Sequence, residues 1–455
     1  MAAVAAGEPG AAPRLRAAEQ GAVAVTAEGR IAAVSGRGDG GDAAVAMLRQ
    51  QPGWRRERLP AGRLLLPGLV DTHAHAPQYR FMGTGMDLPL LEWLEAYTFP
   101  TERKFGDVAF AAATYTAAVK RTLRCGTTTA SYFGTIHEAG SEVLAATCAQ
   151  AGQRALVGKV SMDRNSPDDY RERSAAEAIA SAERFVEAVQ AASGDAGELG
   201  ALVRPVVTPR FVPTCSQELM EGLGDIATRH GLMVQSHLAE SMAEIAWVAE
   251  LHPEADSYAD VYDRYGLMPA AGSYMAHCVH LTEAEAVLMA ARGCGVAHCP
   301  SSNFALRSGA ADVRQLAEWG LTVGLGTDFA GGWSPSMLDA MRMTHVAANV
   351  NAFDGGRQSD AGALSVDELL YMATQGGADV LRMGDSVGSF EVGKEFDALL
   401  VDVDAPDSPV DAFEEDGVRA RLEKFVFCGD DRNIERVWVR GKLVAGTTAA
   451  AAVGA

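Results

Sequence analysis

Two histidines one residue apart, His73 and His75, follow the apolar run Leu69–Thr72. In a strand, residues i and i+2 face the same way, so both imidazoles can point into one site. Further along, His237 ends the segment beginning at Met233, His277 ends the one beginning at Tyr274, and Asp328 follows Val323–Thr327. Three of these four imidazoles with the carboxylate would suit a divalent transition metal, zinc or iron being the usual ions. Each residue alone has an ordinary structural explanation. An isolated H-x-H is a weak signal, Asp328 could cap a helix over Gly331–Met343, and His237 could be a satisfied core histidine. The argument rests on four separate strand ends each supplying a suitable ligand type. Glu240, three residues after His237, adds a carboxylate able to carry a proton from water to a ring nitrogen and then to a leaving group. Its ordinary alternative is a solvated glutamate at a helix start.

The elements that must position these groups form a regular alternation. Short β-rich segments occur at Leu69–Thr72, Thr127–Tyr132, Ala155–Val160, Val203–Val207, Met233–His237, Tyr274–His277, Gly295–His298 and Thr322–Gly326. Helical stretches rich in Ala, Leu and Glu, such as Ala175–Ala192 and Ala284–Arg292, separate many of them. Eight strands alternating with helices predict a (β/α)8 barrel, because parallel strands need crossover helices. The candidate residues fall at the C-terminal strand ends, where such barrels gather their active sites. Outside this block the chain is β-rich. Ala22–Thr26 and Ile31–Val34 read as a hairpin, Arg63–Leu66 as a short strand, and Ala398–Val403 and Glu435–Val444 as strands. The expected organisation is a barrel over residues 67–384 and a small β domain built from residues 1–66 and 385–455. The N-terminal share of that domain reads as short, and the small-residue ends Met1–Ala18 and Gly446–Ala455 read as frayed tails.

Composition narrows the function classes. The 455 residues carry 39 Lys+Arg against 59 Asp+Glu, a formal charge of −20 that argues against a nucleic-acid or anionic-membrane surface. The seven cysteines are scattered, odd in number and without a C-x-x-C pair, which argues against a disulfide framework and for a reducing compartment. No run of about 18 apolar residues predicts a membrane span. No P-C-x-x-C occurs, which excludes the cytidine-deaminase type of zinc site.

The segment Pro67-Gly68-Leu69-Val70-Asp71-Thr72-His73-Ala74-His75 resembles the opening motif of the amidohydrolase superfamily. His237-x-x-Glu240, Ala276-His277-Cys278-Val279-His280-Leu281, Ala297-His298-Cys299-Pro300-Ser301-Ser302-Asn303 and Gly324-Leu325-Gly326-Thr327-Asp328 resemble its later motifs. Within the superfamily the chain is similar to the guanine deaminase family. That likeness rests on His75-Ala76-Pro77-Gln78-Tyr79, on Asp87–Leu94 with Tyr97-Thr98-Phe99-Pro100, on Thr208-Pro209-Arg210-Phe211, and on Gly331–Ser334 with Ser336–Ala340. It runs from about Leu64 to Val401. The Asp87–Pro100 stretch is far more specific than the metal motif, which many deaminases and hydrolases share.

The resemblance implies a metal-dependent hydrolase barrel with a small β-sandwich. It implies one divalent ion per chain, zinc with iron as the alternative, held by His73, His75, His237 and Asp328. Glu240 would be the proton shuttle, His277 would polarise the attacked centre, and Asp328 would take a proton from the attacking water. Gln78, Arg210 and Phe211 would line a purine pocket, next to the ligand His237. The implied activity is hydrolytic deamination of guanine to xanthine and ammonia, a step of purine metabolism, in a cytoplasmic homodimer. The residue chemistry agrees with it. Arg210 is a guanidinium fork for carbonyl and ring acceptors, the Gln78 amide both donates and accepts, and Phe211 offers a flat face to a planar base. The remaining histidines, among them His298 and His280, read as structural. The rivals are an amidohydrolase acting on a pyrimidine, triazine or S-adenosylhomocysteine-like substrate, disfavoured by Asp87–Pro100, and a scaffold without catalysis, disfavoured by the intact ligand set and Glu240.

Overall fold

The structure, a computed structural model, describes residues 2–5, 14–17, 21–36, 41–54, 56–59, 62–193, 202–354 and 363–446. Most of both expected tails lies outside the described residues.

Eight strand positions alternate with helices. Leu69–His75, Thr127–Phe133, Arg154–Gly158 and Val203–Pro205 form one four-stranded parallel sheet, and Val234–Leu238, Ser273–His277, Cys294–His298 and Val323–Leu325 form a second. A parallel bridge between Val207 and Val234 joins them on one side. On the other side, Thr72 Oγ1 donates to the carbonyl of Leu325 at 2.9 Å and the amide of Asp328 donates to the carbonyl of His73 at 2.9 Å. The (β/α)8 alternation therefore closes on itself. Three strands are shorter than their sequence pattern, the eighth, Val323–Leu325, by one residue at each end. The third ends at Gly158, with Val160–Ser161 forming a separate two-residue strand beside Thr208–Pro209, and the fourth stops at Pro205, which has no N–H to give to a ladder.

The crossover helices follow their amphipathic patterns. Val108–Arg124 buries Ala111, Tyr115, Ala118, Val119 and Leu123, spaced by threes and fours, and is capped by Asp107, which accepts from the amides of Ala109 and Phe110. Ala175–Ala192 starts at Ser174, whose side chain accepts from Glu177, and turns Ala178, Ala182, Phe185 and Val189 inward. Inside the barrel, Gln235 is fully buried and bonded on both sides. Its Oε1 accepts from Ser131 Oγ at 2.7 Å and its Nε2 donates to Thr208 Oγ1 at 3.0 Å. This pairing satisfies polar groups that would otherwise cost free energy in the interior.

A four-stranded antiparallel sheet lies outside the barrel. Arg63–Pro67 pairs with Ala398–Asp402, which pairs with Ile434–Val439, which pairs with Lys442–Gly446. One element from before the barrel thus sits in register with three from after it. The single strand expected over Glu435–Val444 is a hairpin instead, because Arg440 and Gly441 both take positive φ, 47° and 71°, the geometry of a tight turn. The hairpin Val23–Val25 with Ile31–Val34 forms as the sequence predicts. The sheet and the barrel meet at Arg154, which pairs with Glu395 at 2.5 Å and Asp397 at 3.2 Å at the N-terminal end of the third barrel strand. Among the described residues no helix is long and apolar enough to cross a membrane.

Candidate metal centre and purine pocket

The residues singled out in the sequence converge. His73 and His75 sit in the last turns of the first strand, His237 in the fifth, His277 at the end of the sixth, and Asp328 just beyond the eighth. Nε2 of His75 and of His237 are 3.1 Å apart, and Asp328 Oδ1 lies 3.2 Å from His73 Nε2 and 3.5 Å from His75 Nε2. One ligand atom from each of His73, His75 and His237 falls within 4.8 Å of the others, and the same holds for His73, His277 and Asp328. Asp328 has a φ of 44° and the following helix begins only at Met337, so its carboxylate is not a helix cap. His277, at φ 72°, is likewise held in a sparsely populated region, as residues at functional sites often are.

This donor set fits a divalent metal. Nδ1 of His237 lies 2.6 Å from the carbonyl of Arg210, which can only accept, so Nδ1 carries the proton and Nε2 presents its lone pair inward. Burial holds the imidazoles of His73, His75 and His237 below their ordinary pKa, the last two well below, so the rings are neutral donors at pH 7. His73 Nε2 is buried without a hydrogen bond of its own. For Asp328 burial works upward, but the neighbouring His73, His277 and His75 outweigh it and keep the carboxylate well below its usual range. Asp71 braces the assembly. Its carboxylate accepts from the amide and hydroxyl of Thr327, at 3.0 and 2.6 Å, and from the amide of His73 at 3.2 Å, fixing the chain on either side of Asp328 to the first strand.

Glu240 is buried rather than solvated. Ala239, at φ 50°, turns the chain between the fifth strand and the helix Met242–Leu251. Glu240 Oε1 accepts from Ser308 Oγ at 3.0 Å and Oε2 lies 3.5 Å from His277 Nε2. Burial pushes its carboxyl up to about 7, a value suited to a group that both takes and gives protons near neutrality. For His277 burial works downward, but Glu240 and Asp328 overcome it and raise its pKa. Its Nδ1 is 2.9 Å from Asn303 Oδ1, which fixes the ring.

A cavity opens beside these groups. His75, His237, His277, Glu240 and Asp328 line it together with Gln78, Arg210 and Phe211. Leu90, Trp93, Leu94 and Leu306 supply apolar wall. The Asp87–Pro100 stretch is therefore in part the wall of the cavity, with the Trp93 ring 2 % exposed, whereas Tyr97 packs against Phe81 and Phe99 lies under the Arg210 guanidinium. Of the remaining histidines, His298 is fully buried and pushed down to about 3 by burial, His280 Nε2 is 2.7 Å from the carbonyl of Ser308, and His137, His230, His252 and His345 hydrogen-bond near the periphery.

Three supporting residues were not singled out in the sequence. Glu102 sits in the charged run Thr101–Lys104, yet it is fully buried behind Gln78 and Arg210. Asn303 lies in a quoted motif without an assigned task, and Ser308 follows it in an unremarkable loop. Only Asn303 could have been found, from its place beside His298 and Cys299.

The chain matches the Amidohydrolase family over residues 64–444. It is 46% identical over 385 residues to a "Probable guanine deaminase" of Schizosaccharomyces pombe, covering 84% of this chain and 72% of that one. The structure of a guanine deaminase from C. acetobutylicum with guanine bound in its active site superposes with a TM-score of 0.84 at 35% identity, covering 95% of this chain and 96% of that chain. A zinc-bound adenosine deaminase from Xanthomonas campestris superposes with a TM-score of 0.78 at 29% identity, covering 95% and 91%.

Proposed function

The chain belongs to the amidohydrolase family, and from that premise we propose how its site performs the hydrolytic deamination of guanine. The enzyme replaces the exocyclic amine at C2 with oxygen from water, releasing ammonia and leaving xanthine. One observation carries the assignment of roles. The ligand cluster and Glu240 share a single cavity with Gln78, Arg210 and Phe211.

His73, His75, His237 and Asp328 would hold one divalent ion, zinc being supported by the zinc-bound structural relative. When bound, that ion supplies Lewis-acid activation, bringing a water to a nucleophilic state near neutral pH that bulk water does not reach. The remaining tasks belong to the chain. Asp328, held ionised, takes a proton from the attacking water. Glu240, starting ionised, takes the other proton of that water and delivers it to N3, which makes C2 electrophilic; the proton held by Asp328 then leaves with the amine as ammonia, handed over through Glu240, so the two carboxylates divide the proton traffic. His277, 3.5 Å from Glu240 and 3.9 Å from Asp328, hydrogen-bonds at the attacked centre. Arg210 donates toward the C6 carbonyl, Gln78 bonds an edge where N–H and N alternate, and Phe211 faces the ring.

The same proposal includes a cytoplasmic homodimer, which the family resemblance supports, with seven free cysteines suiting a reducing compartment. It includes the division into residues 1–66, 67–384 and 385–455, with the outer β elements as a small sandwich. The shared antiparallel sheet of Arg63–Pro67 and Ala398–Asp402 supports that division. The test is ammonia release by the purified protein given guanine, adenine, cytosine and isocytosine. Release from guanine alone is expected, and equal release from adenine would overturn the pocket assignment.

A further inference from the structure

Glu102 ends the short helix Phe99–Glu102, and its carboxylate is fully buried. Oε1 accepts from Gln78 Nε2 at 2.8 Å and lies 3.5 Å from Arg210 Nη2. Oε2 accepts from Arg210 Nη1 at 2.6 Å and from the Tyr170 hydroxyl at 2.7 Å. A carboxylate has about four lone-pair sites, and all four are taken here. Glu102 therefore has nothing left to offer a substrate, and it does not line the cavity, whereas Gln78 and Arg210 do.

We infer that Glu102 is a positioning residue that sets purine specificity by fixing the two polar readers of the pocket at once. The inference rests on the reading of Gln78 and Arg210 as the partners of the purine. Its effect on Gln78 is orientational. With Nε2 donating to Glu102, the amide oxygen must face the other way, where the amide of Ala330 donates to it at 3.4 Å. A flipped amide would set oxygen against carboxylate and N–H against N–H. The effect on Arg210 is one of charge and aim. The guanidinium is 3 % exposed and would be an uncompensated buried cation without Glu102. Paired with it end-on, and resting with Cζ 5.3 Å from the Phe99 ring centroid, it presents its remaining N–H groups in one fixed plane. Substrate then meets a neutral, pre-aimed site, and no ordering cost remains to be met on binding.

Glu102→Gln is nearly isosteric but places an amide donor among three donors. The readouts are guanine kinetics and the competitive inhibition constants of hypoxanthine, which has the C6 carbonyl, and of purine, which lacks it. We expect KM for guanine and Ki for hypoxanthine to rise by roughly 10–100-fold, as for a buried polar contact left unmatched. Ki for purine and kcat for guanine should change by less than about threefold. Equal losses for hypoxanthine and purine, or a collapse of kcat with unchanged KM, would show a merely structural role and overturn the inference. Arg210→Leu is run alongside. If it leaves guanine turnover intact, the pocket reading itself fails, whereas loss in Arg210→Leu without loss in Glu102→Gln overturns only the role of Glu102. Should Glu102→Gln not fold, Tyr170→Phe removes one of the four bonds and is expected to raise Ki for hypoxanthine above Ki for purine in the same sense. No preferential rise there overturns the inference as well.

Discussion

The main-chain carbonyl of Arg210 accepts a hydrogen bond from Nδ1 of His237 at 2.6 Å. In the proposed site one residue would therefore read the substrate with its side chain and orient a metal ligand with its backbone. Side-chain substitutions at Arg210 should consequently separate the two tasks. In Arg210→Leu the backbone carbonyl remains, so metal content should stay at the wild-type level by elemental analysis, while kcat/KM for guanine falls by ~10² or more, as expected where a site built for a polar group loses it. Metal loss in that variant would show that the guanidinium, and not the carbonyl, supports His237.

His73→Ala removes one ring from the convergent set. Elemental analysis of the wild type should find close to one zinc or iron per chain, and the variant should lose both the ion and the activity. Full metal together with full activity in the variant would mean the site is misassigned. Removing the ion from wild type with a chelator should abolish ammonia release, and added zinc should restore it.

Glu240→Gln keeps the shape of the side chain and removes its transferable proton. Turnover should fall by ~10² or more while metal and guanine are still bound, because the loss is of acid–base chemistry alone. Near-normal turnover would end the shuttle role.

The pH dependence follows from the same group. Burial pushes the Glu240 carboxyl up to about 7. His277, Glu244 and Asp328 are the charged groups around it, and Ser308 donates to its carboxylate. As the shuttle must begin ionised to accept a proton, kcat/KM should decline as pH falls through about 7, up to tenfold per unit. Ser308→Ala removes a donor that favours the charged form, so that acid limb should move to higher pH. A limb unmoved or displaced to lower pH would contradict this account.

Arg154 links the barrel to the outer sheet through Glu395 and Asp397, and its side chain is 7 % exposed. Arg154→Leu would take the cation from buried Asp397, at a cost of about 3–5 kcal/mol, while Glu395 keeps Arg30 at 3.6 Å and Arg440 at 3.8 Å. Thermal denaturation should show a clear drop in Tm. An unchanged Tm would mean the two units hold together without this pair.

The amino-acid sequence by itself determined the kinds of chemistry available and the order in which the chain delivers them. Short apolar segments, several of them ending at or just before His or Asp, dictate which residues arrive at one end of a parallel barrel, because strand direction and alternation of side chains are local properties. His73, His75, His237, His277, Asp328 and Glu240 were legible for that reason. The Ala175–Ala192 helix was legible in full because its cap and its apolar stripe are both local. Tertiary structure decided what depends on distance through space. Glu102 stands 24 residues from Gln78 and 108 from Arg210, in a run of charges that reads as a solvated face. Only the folded chain shows it buried, with every acceptor site occupied. The tautomer of His237, the raised pKa of Glu240 and the hairpin at Arg440-Gly441 belong to the same class. Each depends on a partner, on burial or on a backbone torsion supplied by packing, and no local pattern of residue types encodes these.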